Sequence, residues 1–312
     1  MQVTGKKIVV LATGGTIAGT AAAATDNIGY TAAQLGVQEL VAAIPGLASV
    51  PLETEQVAQV DSKGMSFEIW RKLALRCGHW LARGDVGGVV ITHGTDTLEE
   101  TAYFLQAVLA PAKPVVLTCA MRPATALLAD GPQNLLDAIA VAGTPGASGV
   151  VAVCAGAIHD AVDVAKQHTY RLDAFSSGDA GPIGYVEEGR LRLLRDWPMP
   201  DERAAAALGK FADTGRWPRV EIVMNHVGAG GAIVHALVAQ GVDGLVVAGT
   251  GNGTLHPELE AALRQAQAQG VKVVRSTRCA QGRVLAKPDD TLPDSRGLSP
   301  VKARIALMLD LL

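Results

Sequence analysis

The sequence predicts an α/β protein, with a larger N-terminal domain on a mainly parallel sheet and a smaller C-terminal parallel α/β domain. Three observations carry this. Apolar, β-branched runs such as Ile8–Leu11 recur along the chain, as in strands covered on both faces. Segments with helical spacing separate them, the pattern of βαβ units. Three of the runs end in small-residue turns rich in hydroxyl and amide groups: ATGGTIAG at 12–19, THGTDT at 92–97 and AGTGNG at 248–253. Open α/β sheets place their ligands at such strand ends.

The first run stops at Gly14 and Gly15, which turn the chain sharply and are expected to let the backbone approach a ligand. Thr16 follows and is the first candidate for chemistry. Residues 17–31 offer little to bury before Tyr30 and read as a mobile lid. Helical spacing over Gln34–Ile44 ends before Pro45, and Val50–Val60 has the alternation of a strand ending at Asp61 and Ser62. Phe67–Ala82 reads as a helix and Val89–Thr92 as a strand. LEETAYFLQAV at 98–108 is an amphipathic helix with acids in its first turn, as the helix dipole favours.

Pro114–Thr118 and Val150–Ala155 read as further strands flanking a helix over Gly131–Ala142. Ala157–Tyr185 is more polar, carries Lys166, and reads as a long non-helical connection of the kind more often functional than accidental. Taken alone, Lys166 is a solvated charge. Gly189–Arg219, rich in charge, alanine and proline, reads as an interdomain connection. Strands over Val220–Met224, Gly244–Ala248 and Val271–Ser276, with helices over 231–240, 257–269 and 300–312, complete the smaller domain.

A chain of 312 residues exceeds one typical core. The predicted division is 1–190, a connection over 191–219, and 220–312. With 49% hydrophobic and 18% charged residues the composition is that of a packed globular protein. A net charge of -3 gives no electrostatic reason for a nucleic-acid or membrane partner. Cys77, Cys119, Cys154 and Cys279 are far apart in sequence and no histidine pair has zinc spacing, so neither a metal nor a cofactor is expected. The run Ile8–Ala12 is too short for a signal h-region. The chain as written reads as cytoplasmic, or periplasmic where a signal peptide has been removed.

The turn after Ile8–Leu11 stands one residue from a dinucleotide fingerprint, so a nucleotide-binding oxidoreductase is a rival reading. Thr16 occupies the place where that fingerprint needs a glycine, and no strand-ending acid follows about 20 residues later. A non-catalytic amino-acid-binding module is the other alternative, because strand-end hydroxyls and amides can simply hold a ligand.

The strings ATGGTIAG, ITHGTDTLEETA, AMRPATALLADGP, VAGTGNG and VVRSTR occur in this order over about residues 7–310. Together they resemble the bacterial-type L-asparaginases and glutaminase-asparaginases. The resemblance implies hydrolysis of L-asparagine, and more weakly L-glutamine, without cofactor. It implies that Thr16 matches the family's nucleophilic threonine with Tyr30 as its partner, that Thr95, Asp96 and Lys166 form a second catalytic set, and that either threonine can be the first to attack. Asp61, Ser62, Thr95 and Asp96 are then substrate-binding residues. Asn252 matches a residue supplied by a neighbouring subunit, so an intimate dimer and a tetramer built from two of them are expected. The sequence departs from the family where it has Lys63 and Gly64. It departs again at 283–296, where secreted relatives carry a glutamate and this chain has only Asp289, Asp290 and Asp294.

Overall fold

The computed structural model describes residues 5–109, 111–199, 208–212, 214–288 and 290–312. Asp289 and most of the charged stretch after Pro198 lie outside the described residues. The chain divides into two compact units, Met1–Ala212 and Asp213–Leu312.

In the first unit, strands β1 (Lys7–Gly14), β2 (Leu52–Val60), β3 (Val86–Thr92), β4 (Val115–Thr118) and β5 (Val150–Cys154) are mutually parallel and lie in the order 2-1-3-4-5. Ile8, Val10, Val90, Val116 and Val151 are fully buried from solvent, which explains why these strands read as continuous apolar runs. Three helices, α2 (Phe67–Leu81), α3 (Leu98–Leu109) and α4 (Gly131–Ala142), follow β2, β3 and β4. Helix α4 buries Leu135, Ala138, Ile139 and Val141 with the sheet residues. The first helix, α1 (Val37–Ala42), is shorter than the apolar spacing suggests. Gly36 precedes it with an extended backbone, and a separate 3-10 turn begins at Pro45.

Ala157–Tyr185 is non-helical apart from a 3-10 turn at Gly178–Ala180, and it carries strands. It contains β6 (Ala157–Asp160), the two-residue strands β7 (Ala165–Lys166) and β8 (Phe175–Ser176), and the start of β9 (Gly184–Glu187). β6 and β9 extend the sheet antiparallel beyond β5, and β10 (Arg190–Leu193) closes that edge. The stretch expected to open the interdomain connection is therefore an edge strand of the first unit. The sequence RLRL hides it, because a solvated edge strand needs no apolar run.

The second unit is a parallel three-stranded sheet of β11 (Val220–Met224), β12 (Gly244–Gly249) and β13 (Lys272–Thr277). Helices Ala232–Ala239, Pro257–Ala268 and Pro300–Asp310 accompany it, and Leu245, Val247, Leu259 and Leu263 form its centre. Among the described residues no helix is long and apolar enough to cross a membrane.

Candidate active site

A parallel sheet in the order 2-1-3-4-5 has its switch point between β1 and β3, where successive crossovers leave on opposite faces and a crevice opens at the carboxyl ends. Thr16 follows β1 and Thr95 follows β3. The glycines in front of them are in contact: a Cβ on Gly15 would lie 2.4 Å from both the N and Cα of Gly94. Gly15 also holds φ at +85°, which side-chain-bearing residues rarely adopt. The sequence suggests glycine for close approach to a ligand. What approaches here is the neighbouring strand end, and the consequence is that the two threonines stand next to one another.

Thr16 opens a 3-10 turn, Thr16–Ala18, and its Oγ1 lies 2.7 Å from the Tyr30 hydroxyl. Tyr30 is held there because residues 20 and 31 pair across the base of the lid, with Thr20 N to Thr31 O and Thr31 N to Thr20 O both 2.9 Å. Gln34 and Leu35 then donate to Ala18 O, returning the chain to the turn of Thr16.

The second cluster brings residues 70 positions apart into one hydrogen-bonded set. Lys166 Nζ donates to Thr95 Oγ1 and to Asp96 Oδ1, each at 2.7 Å. The lysine side chain is 19% exposed and the aspartate side chain 53%. A half-buried lysine is thus paired with a carboxylate that still faces solvent. Lysine reaches this point on β7, whose placement depends on a residue the sequence analysis assigned only to the helix dipole: Glu99 Oε2 accepts the backbone N–H of Lys166 at 3.0 Å. An acid in a first helical turn is too common for its sequence position alone to reveal that second partner.

A further chain of groups was missed for a similar reason. Trp70 Nε1 donates to Thr101 Oγ1 at 2.9 Å, Thr101 Oγ1 lies 2.9 Å from His93 Nε2, and His93 Nδ1 lies 2.7 Å from Gly94 O. An indole N–H can only donate, so the Thr101 hydroxyl accepts from it and gives its own proton to Nε2. The proton of neutral His93 then sits on Nδ1, bonded to the Gly94 carbonyl that begins the peptide of Thr95. Burial pushes the His93 pKa down to about 4, keeping the ring neutral.

Ser62 is buried, and its Oγ accepts the Asp96 N–H at 3.1 Å, while Thr97 Oγ1 donates to Ser62 O at 2.9 Å. The serine thus ties the β2 and β3 loops together. Asp61 caps the same turn, accepting from Lys63 N, and pairs with Lys63 Nζ at 3.1 Å. That bond and charge raise the Lys63 pKa. Asn252 belongs to the second unit. There its side-chain amide both donates to Leu285 O, at 3.0 Å, and accepts from Leu285 N, at 2.7 Å.

Both described aspartates of the 283–296 stretch have partners within their own unit. Asp290 forms a two-pronged pair with the Arg275 guanidinium, which pulls its pKa down to about 2. Asp294 accepts the Arg296 N–H at 2.6 Å. Cys119 and Cys154, 35 positions apart in sequence, meet at the ends of β4 and β5 as buried thiols with Sγ atoms 3.3 Å apart.

Hydroxyls, a lysine and a carboxylate gathered at strand ends make up the equipment of a hydrolase. Comparison with known proteins gives the family. A model of the asparaginase N-terminal domain matches residues 7–199, and one of the glutaminase/asparaginase C-terminal domain matches 219–311. The chain is 39% identical to L-asparaginase 2 of Bacillus subtilis over 97% of its own length and 82% of the relative's. It is 38% identical to the glutaminase-asparaginase of Pseudomonas fluorescens biotype A, over 97% and 86%. A crystal structure described as "Probable Cytoplasmic L-asparaginase from Campylobacter jejuni" superposes with a TM-score of 0.92 at 37% identity, covering 98% of this chain and 95% of that one. The chain belongs to the asparaginase family.

Proposed function

We propose that the protein hydrolyses L-asparagine to L-aspartate and ammonia with a threonine nucleophile, and L-glutamine more weakly. The observation that carries this reading is Lys166 Nζ at 2.7 Å from both Thr95 Oγ1 and Asp96 Oδ1, on the strand end beside that of Thr16. An amide is a poor electrophile with a poor leaving group, so its cleavage needs an activated oxygen, a held oxyanion and a proton for the departing nitrogen. In this reading the Thr16 oxygen adds to the side-chain amide carbon while its proton passes to the Tyr30 hydroxyl, which gives its own proton to the departing amide nitrogen. Collapse of the tetrahedral adduct expels ammonia. Water then cleaves the acyl-enzyme, with Thr95 and Lys166 moving the protons. Asp96, half exposed, takes the substrate ammonium, and the Ser62 hydroxyl with nearby backbone N–H groups takes its α-carboxylate.

The enzyme acts as a homo-oligomer, a tetramer of intimate dimers, in which Asn252 serves the neighbouring subunit's site. Its location is cytoplasmic, as named for the Campylobacter jejuni relative, or periplasmic where a signal peptide has been removed.

Glutamine is longer by one methylene, a difference worth about 1 to 3 kcal/mol in a fitted pocket. The family glutamate that helps hold a substrate amine is absent, and Asp290 and Asp294 are occupied within their own unit. We expect kcat/KM for asparagine to exceed that for glutamine by about tenfold or more, equivalent to about 1.4 kcal/mol. An ammonia-coupled assay on both substrates, run with a chelator present, tests the reading. Equal efficiencies would remove the specificity argument, and activity lost to chelation would remove the metal-free mechanism.

A further inference from the structure

The lid that carries Tyr30 is fastened to the unit by another loop. Its tip, residues 22–25, is exposed, and its internal bonds are few: Asp26 N donates to Ala23 O at 3.0 Å, and Asp26 Oδ1 accepts from Ile28 N and Gly29 N at 3.0 and 2.7 Å. Among the described residues, the hydrogen bonds that fasten 21–29 to the rest of the unit go to the loop after β4. Ala21 N donates to Thr125 Oγ1 at 2.8 Å, Thr125 Oγ1 reaches back to Ala21 O at 3.5 Å, and Leu127 N donates to Ala24 O at 3.1 Å. At the start of the lid, Ala124 N donates to Gly19 O at 2.9 Å.

The loop that receives these bonds is itself braced. The Asp130 carboxylate accepts the N–H groups of Met121 and Arg122, both at 2.9 Å. Arg122 donates to Tyr170 O at 2.9 Å and stacks 4.1 Å above the Tyr170 ring, four residues beyond Lys166. Stiffness therefore runs from the lysine arm through Arg122 and its loop to the lid. Between that loop and the lid, Thr125 is the link made by a side chain. A hydroxyl that accepts from an N–H and donates to the C=O of the same residue reproduces one rung of a β-ladder.

We propose that Thr125 is a positioning residue: its hydroxyl holds the lid closed, and so keeps Tyr30 on Thr16. This rests on the catalytic reading of Tyr30 above. A hydrogen bond of this kind contributes a net amount that corresponds to about threefold to tenfold in the closed-to-open ratio.

Thr125→Val keeps the shape and removes both bonds, whereas Thr125→Ser keeps the hydroxyl. Two readouts are compared with the wild type: kcat/KM for asparagine, and the rate at which a broad-specificity protease nicks residues 21–29 of the native protein, mapped by mass spectrometry. The proposal expects the valine variant to be nicked about threefold to tenfold faster and to show a smaller loss in kcat/KM, because a mostly closed lid gives up little of its closed fraction. Its melting temperature should stay within about 2 °C of the wild type. Serine should restore both values. Unchanged nicking and kinetics in the valine variant, or a loss shared by the serine variant, would overturn it. A melting temperature that fell in parallel would also overturn it, in favour of a general structural role. Nicking does not depend on turnover, so a wild type inactive on asparagine would sink the functional reading while the tether was still decided.

Discussion

Gly15 and Gly94 touch backbone to backbone, the Gly94 N and Cα lying 2.4 Å from where a Gly15 side chain would begin. This contact, more than any hydrogen bond, brings the two threonine turns together, because it lets adjacent parallel strands end side by side with no side chain between them.

Gly15→Ala therefore meets two obstacles. A positive φ on a residue with a Cβ costs about 1 to 3 kcal/mol, and the new methyl must displace backbone, which costs about as much again. Gly94→Ala meets the second obstacle alone, against Ser62 Oγ at 2.5 Å. Denaturant melts of both variants should show destabilisation of about 2 kcal/mol or more, greater for Gly15→Ala, with turnover lost in each. A Gly15→Ala protein of wild-type stability and activity would show that the turn is not constrained by this contact.

Stability should also fall in mild acid. Burial pushes the pKa of His93 and of His159 down to about 4, and an unfolded histidine titrates near 6.5. Between these values the unfolded chain binds more protons than the native one, so stability rises with pH across the window. Each histidine contributes up to about 3 kcal/mol, fully present above pH 6.5 or so and lost as pH falls toward 4. Melts at stepped pH should show this slope, and His159→Gln should reduce it. A flat profile from pH 7 to 4 would mean that these rings can be protonated in place.

Oligomeric architecture has its own test. Asn252, on the second unit, is proposed to act in the neighbouring subunit's site. Mixing inactive Thr16→Ala with inactive Asn252→Ala chains should then regenerate a fraction of the sites, read as recovered ammonia release. No recovery, with subunit exchange confirmed by a mass tag, would assign Asn252 to its own chain or to a role outside the site.

The parts of the molecule legible in the sequence are those where one physical constraint acts on neighbouring residues. Buried parallel strands such as β1 and β5 show as unbroken apolar runs, and α4 follows its spacing residue for residue. The edge strand β10 does not show, because solvent makes no demand for apolar side chains there. In the site, Thr16 and Thr95 stand out by their turns, whereas Glu99 and the Trp70–Thr101–His93 chain do not. Each of these side chains has an ordinary local explanation, as a first-turn acid or a core aromatic, and only the folded chain supplies the second partner. The Cys119–Cys154 contact is invisible for the same reason, since it arises from the pairing of β4 with β5.

The measurement that bears most directly on the central claim is ammonia release from L-asparagine by Thr16→Ala and Thr95→Val beside the wild type, with circular dichroism to verify folding. Residues that work as a unit fail together. Each variant should keep its fold and lose nearly all turnover, well beyond tenfold. A folded variant retaining more than about a tenth of the wild-type rate, a loss below about 1.4 kcal/mol, would contradict the assignment of that threonine to the chemistry.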